Sequence, residues 1–244
     1  MNKLTLTLKA YKSNVVIHRH SAFQIVFTED NLFHSQIENN NHKNIFGFVI
    51  KPQVAHACEC SNSTLIVMNI EAHSFFGKYL SQKLGNSNSK VFLDNLEFVV
   101  FFNFKGKNFT YSDILNTNHI ENSVSNIDQR TIIALEYISN NFQSDKFSIK
   151  DLAERVFLST SRLSFLFKKQ TGSSIIKYLL WIRLRNAIFL MLTDNKKNIT
   201  TIALECGFYD SSQMNKYMYQ MFGISPLKFK QKSDLIQFLD VEAN

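Results

Sequence analysis

A chain of 244 residues with 45% hydrophobic residues and 23 phenylalanines against 7 glycines and 2 prolines can build a compact core, which excludes a disordered or fibrous protein. No stretch approaches the ~18 uninterrupted apolar residues of a membrane span, and Cys58, Cys60 and Cys206 are too few and too poorly spaced for a disulfide framework, so a cytoplasmic protein is expected. The net charge of +7 is uneven: residues 126–233 hold 16 Lys and Arg against 8 Asp and Glu, residues 1–125 hold 11 against 9, and all seven histidines lie at or before His119.

Basic charge in one half and histidine in the other predict a nucleic-acid module joined to a small-molecule module. The opening MNKLTLTLKAYKSNVV alternates apolar and polar residues and lacks the apolar block of a signal peptide. TLTLKAY, FQIVF, NIFGFVI and TLIVMNI read as strands separated by polar breaks such as ENNNHKN and CSNS, which predicts a small antiparallel sandwich or barrel. SFFGKYLSQKL reads as a helix and GNSNSK as a loop. VVFFNF fits either a buried strand or a helix face packed on a partner chain, and Tyr111 to Ser123 is a weak helix candidate. The polar NSVSN, Asn122 to Asn126, is the expected domain boundary.

From Asp128 the period is helical. RTIIALEYISNNF is one helix; Ser148 caps the next, with Asp151 completing a capping box before LAERVF. Ser159 caps a further helix that Gly172 ends. IIKYLLWIRLRNAIFLML, Ile175 to Leu192, reads as a long amphipathic helix. Asp210 caps another, with Gln213 at its third position and Gly223 as its stop, and Ser225-Pro226 opens a short last helix. The tail after Lys232 is expected to be mobile.

Two segments share one plan: SIKDLAERVFLSTSRLSFLFKKQTG, Ser148 to Gly172, and NITTIALECGFYDSSQMNKYMYQMFG, Asn198 to Gly223. A short helix, a tight turn and a longer helix closed by glycine form a helix-turn-helix, which lays its second helix in the major groove of DNA. Leu152, Ala153, Val156, Leu163, Leu166 and Phe167 fit the first inner face; Ile202, Ala203, Cys206, Phe208, Met214, Met218 and Phe222 fit the second. The outward faces then present Thr160, Ser161, Ser164 and Phe165, and Ser211, Ser212, Asn215, Lys216 and Tyr219. Hydroxyls, amides and Lys216 can bond base edges, and Phe165 can lie on a thymine methyl. Lys168, Lys169, Arg185, Lys196, Lys197, Lys228 and Lys230 are expected on phosphates, with the two helices about 34 Å apart to enter successive turns of double-stranded DNA.

From about Ile127 to Gln231 the chain resembles the AraC/XylS family of bacterial transcription regulators. The resemblance rests on LSTSRLSFLFKKQTG, RLRNA, IALECGFYDSSQ and FGISPLKFK, which occur in order at the family's distances. It departs at Phe157, where a smaller residue usually makes the turn, and at Gln213, Met214, Met218 and Tyr219, which replace three aromatic residues and a basic one. The resemblance implies an α+β chain: a cupin-like antiparallel β domain with helices over residues 1–122, which senses an effector and forms a homodimer, then a double helix-turn-helix domain over 127–232, then a tail over 233–244. It also implies an activator that contacts RNA polymerase.

His18-x-His20 with Gln24, then Pro52 to His56, mimic the two cupin half-motifs, but Gln24 stands where metal-binding cupins carry a carboxylate. His18, His20, Gln24 and His56 are therefore expected to line an effector pocket, with no metal and no cofactor. His56, Cys58 and Cys60 alternate, and three residues on one strand wrap a tetrahedral ion poorly. The alternative is a metal-dependent cupin enzyme with an accessory DNA-binding domain, which needs His18, His20 and His56 to converge on one ion. No nucleophile–base pair, phosphate loop or paired-carboxylate motif stands out, so a regulator and not an enzyme is expected.

Overall fold

The computed structural model describes residues 5–104, 109–115 and 127–239. The expected boundary at 122–126 and the second half of the helix candidate at 111–123 lie outside them.

Among the described residues, ten strands form two antiparallel sheets: β1 (Thr5–Tyr11), β2 (Asn14–His18), β3 (Phe23–Thr28), β4 (Phe33–Ile37), β5 (Asn40–Ile45), β6 (Gly47–Ile50), β7 (His56–Glu59), β8 (Thr64–Ile70), β9 (Ser89–Phe92) and β10 (Ile236–Phe238). One sheet runs β10-β1-β8-β3-β6-β9 and the other β2-β7-β4-β5. Val26, Phe48, Ile50 and Leu65 of the first sheet pack with Phe33, Ile37 and Ile45 of the second, which makes the expected sandwich. The other face of the larger sheet carries Phe23, Ile25, Phe27, Ile66 and Met68 against α1 (Phe75–Leu84), α2 (Asn95–Phe102) and α3 (Tyr111–Leu115). Every residue of β3 is buried because alternate side chains enter the two cores.

Two local readings resolve here. GNSNSK is not loop throughout, since Ser89 opens β9 and pairs with Ile50. VVFFNF continues a helix: Asp94 accepts from the Glu97 N–H and Glu97 accepts from the Leu93 N–H, a reciprocal cap that starts α2. Phe102 of that block, and Phe98 just before it, are fully buried in the domain's own core.

The helical half comprises α4 (Gln129–Asn141), α5 (Ile149–Arg155), α6 (Thr160–Thr171), α7 (Ile175–Thr193), α8 (Ile199–Glu205), α9 (Ser211–Phe222) and α10 (Pro226–Gln231). α7 has 19 residues and so runs about 28 Å. It is not amphipathic as expected: residues Tyr178 through Leu184 are all buried, because helix-turn-helix units and the sandwich pack around it. Leu6, Leu8 and Ala22 of the sandwich belong to the same hydrophobic cluster as α7. The tail reading also needs correction over residues 233–239. A 3-10 turn at Ser233–Leu235 leads into β10, whose Ile236 pairs with Ala10 and packs on the helical core, so the chain returns to the first sheet.

Candidate nucleic-acid interface

Local chemistry sets both units. Ser148 accepts from the Asp151 N–H at 3.2 Å, and Ser159 from the Arg162 N–H at 3.2 Å. Asn198 accepts from Thr201 at 2.8 Å. Asp210 accepts from Gln213 at 2.6 Å, and Gln213 accepts in return from the Tyr209 N–H at 3.0 Å. These bonds satisfy orphan amides at the helix starts, and Gly172 and Gly223 close α6 and α9 in the left-handed conformation. Leu152, Ala153, Val156, Leu163 and Phe167 are buried in the first unit, with Leu166 half-buried. Ile202, Ala203, Cys206, Phe208, Met214 and Met218 are buried in the second, and Phe222 stacks on Trp181 at 5.5 Å.

The opposite faces look outward. Thr160, Ser161, Ser164, Phe165, Lys168 and Lys169 are exposed on α6; Ser212, Asn215, Lys216 and Tyr219 are exposed on α9, with Ser211 half-buried. Arg162, not singled out by the sequence reading, is exposed beside Phe165, its guanidinium 5.8 Å from the ring.

The expected phosphate contacts divide. Lys196 and Lys228 are exposed. Lys197 is tied to Glu205 at 2.6 Å and Asp194 at 3.7 Å. Lys230 donates to the carbonyls of Asp194 and Lys197, so it holds the α7–α8 connection. Arg185 is the clear correction. It reaches Glu71 at 3.3 Å and the Thr5 carbonyl at 2.9 Å, and it joins α7 to the sandwich instead of facing a phosphate. Glu71 also accepts from the Trp181 indole. Burial raises the Glu71 carboxyl above its usual range, against the pull of Arg185 and Trp181. Arg183, also missed in the sequence, donates to the carbonyls of Phe142 at 2.7 Å and Ser144 at 2.9 Å.

Three of the four residues expected to line an effector pocket converge. His18, His20 and His56 have ring centroids 4.0 to 5.7 Å apart, and Gln24, beside His20, donates its amide to Asn69 at 3.1 Å. Cys58 and Cys60 pack in the sandwich core, and Cys60 donates to the Ser63 carbonyl. His18 and His20 line a cleft of about 530 Å³ between β2 and α9, together with Lys177, Tyr217 and Gln220. The Arg19 N–H donates across the same seam to the Gln220 carbonyl at 3.3 Å.

Residues 152–232 match a family model described as a helix-turn-helix domain. The arabinose operon regulatory protein of Escherichia coli is 33% identical over 104 residues, which is 43% of this chain and 35% of that protein. The HTH-type transcriptional activator RhaR of Pectobacterium carotovorum is 36% identical over 96 residues, 39% of this chain and 32% of that one. The chain thus spans about a third of the length of the curated relatives it matches. The crystal structure of ToxT from Vibrio cholerae superposes with a TM-score of 0.55 at 17% identity and covers 93% of this chain and 96% of that one, so the two share a fold along nearly their whole length.

Proposed function

We propose, from the premise that residues 152–232 belong to the AraC/XylS type of helix-turn-helix domain, that the chain is a sequence-specific DNA-binding transcription regulator. The observation that carries the reading is the two-sidedness of both units: each buries most of its inner face at the helix crossing and leaves hydroxyls, amides and cations on the outer one. Thr160, Ser161, Ser164 and Phe165 of α6, and Ser211, Ser212, Asn215 and Lys216 of α9, are the side chains for base edges. Lys168, Lys169, Lys196 and Lys228 are the cations for phosphate. The regulatory and activator names of the relatives support a regulator over an enzyme; the partner of such an activator is RNA polymerase. Among the described residues no helix is long and apolar enough to cross a membrane, and the cytoplasm is the compartment of such a regulator.

The sandwich is the sensor half, with the cleft beside His18 and His20 as the entry for a small effector. It also pairs two copies. Leu93, Leu96 and Val100 leave a row of exposed apolar side chains at α2 for that purpose.

Selection of bound fragments from sheared genomic DNA tests the reading. Affinity for the enriched fragments is expected to fall steeply with salt, with a slope that shrinks by roughly 0.9 for each phosphate-contacting lysine replaced by alanine. Binding that ignores salt and Lys168→Ala, Lys169→Ala alike, or no enriched fragment at all, sinks it.

A further inference from the structure

We propose that His18, His20 and His56 form a binding site for one divalent transition-metal ion, at the seam between the sandwich and the second helix-turn-helix unit. One ring nitrogen of each lies within 4.8 Å of those of the other two. A tetrahedral ion with metal–nitrogen bonds of about 2.0–2.1 Å sets its ligand atoms roughly 3.4 Å apart. Small side-chain rotations close that difference, and the backbone already has the residues in place at the end of β2, in the turn after it and at the start of β7.

The protonation pattern points the same way. Nδ1 of His18 lies 2.9 Å from the Val16 carbonyl, Nδ1 of His20 lies 3.0 Å from Ala22 O, and Nδ1 of His56 lies 3.0 Å from Val54 O. A carbonyl only accepts, so each Nδ1 carries a hydrogen and donates it. In a neutral imidazole the second ring nitrogen is the acceptor. Each Nε2 then holds a free lone pair. Metal-binding histidines are oriented in this way, by a carbonyl on the nitrogen that faces away from the ion.

Among the described residues, Nε2 of His20 and Nε2 of His56 are buried with no hydrogen-bond partner. A buried acceptor without a partner is costly, and one ion would supply a partner to all three rings. The donor set is three imidazoles with no carboxylate, which suits zinc, cobalt, nickel, iron or copper and not magnesium or calcium. A fourth position would open toward the cleft that His18 and His20 line, for water or a small anion near Lys177. The ion's standing as an effector rests on the regulator reading; the site itself rests on this geometry alone.

The test titrates the reduced, chelator-treated full chain with Co²⁺ and then with competing Zn²⁺. One equivalent is expected, with the intense visible bands of a four- or five-coordinate cobalt. His20→Gln and His56→Gln are expected to weaken binding by at least about tenfold, while Cys58→Ser and His34→Gln leave it unchanged. Since a buried substitution can unfold the chain, each variant is checked by circular dichroism without metal. His56→Cys provides a second arm, expected to bind cobalt with a thiolate charge-transfer band that the parent lacks. No stoichiometric binding to the parent chain, or full-strength binding to folded His20→Gln, overturns the proposal. Loss of DNA binding with cobalt binding intact would sink the regulator reading and leave the site standing.

Discussion

Phe157 has φ 54° and 95% of its surface in water, at the place that Gly207, with φ 81°, takes in the second unit. Both follow the C-cap residue of a first helix, where the chain must turn left-handed. A β-carbon in that conformation costs about 1–2 kcal/mol, and an exposed ring recovers little of it. Phe157→Gly is therefore expected to raise the urea midpoint, with a gain in unfolding free energy of about 1 kcal/mol after the greater freedom of glycine in the unfolded chain is counted. A lower midpoint would mean that the ring packs on something in solution. His73 sets a second expectation at this scale. Burial lowers its pKa to about 4, with Lys78 and Arg185 adding to the effect, and its ring meets Tyr178 at 5.7 Å. Below pH 6.5 the unfolded chain takes a proton that the folded chain refuses, so stability is present above that pH and lost as pH falls toward 4. The loss is about 1.4 kcal/mol per pH unit for each such group. Urea midpoints measured across that range are expected to fall less steeply in His73→Phe, and an unchanged slope refutes the assignment.

At the level of elements, α2 divides its faces between two jobs. Phe98 and Phe102 point into the core, while Leu96 and Val100, four residues apart and 55% and 65% exposed, share the outer face with nearby Leu93. Leu96→Glu with Val100→Glu is expected to convert a dimer into a folded monomer, read by light scattering after size exclusion. A double variant that stays dimeric moves the interface elsewhere. The same helix explains what the sequence could and could not disclose. A run of eight apolar-rich residues fits strand and helix alike, and only the reciprocal cap between Asp94 and Glu97 decides. The caps at Ser148, Ser159 and Asp210 were legible because donor and acceptor lie within three residues. Arg185 was not, because its partner Glu71 stands 114 residues away and nothing local marks the pair. The outward faces of α6 and α9 could be read from period alone; the meeting of His18, His20 and His56 needed the strand pairing of β2 with β7.

Across the whole molecule, a seam ties the helix-turn-helix units to the sandwich. Arg185→Ala would leave Glu71 buried without its cation, a change expected to cost about 3–5 kcal/mol. The salt slope of DNA binding should not move, since the guanidinium faces Glu71 and the Thr5 carbonyl. A slope reduced by about one would return Arg185 to the phosphates. On the other side of the seam, α9 ends at Gly223 so close to β2 that a β-carbon there would lie 2.3 Å from the Val16 carbonyl and 3.1 Å from Nδ1 of His18. His18 cannot turn toward an ion without disturbing Val16, whose carbonyl holds its ring. An ion on the three histidines and DNA on α9, as proposed above, would therefore act on one packing contact. Linkage makes their effects reciprocal: the factor by which Zn²⁺ changes DNA affinity equals the factor by which DNA changes Zn²⁺ affinity, expected at roughly 5- to 150-fold. Gly223→Ala forces the contact apart and is expected to bring that factor toward one, with the cobalt affinity of the variant measured alongside. Equal DNA affinity with and without Zn²⁺ in the parent chain would show that the seam transmits nothing.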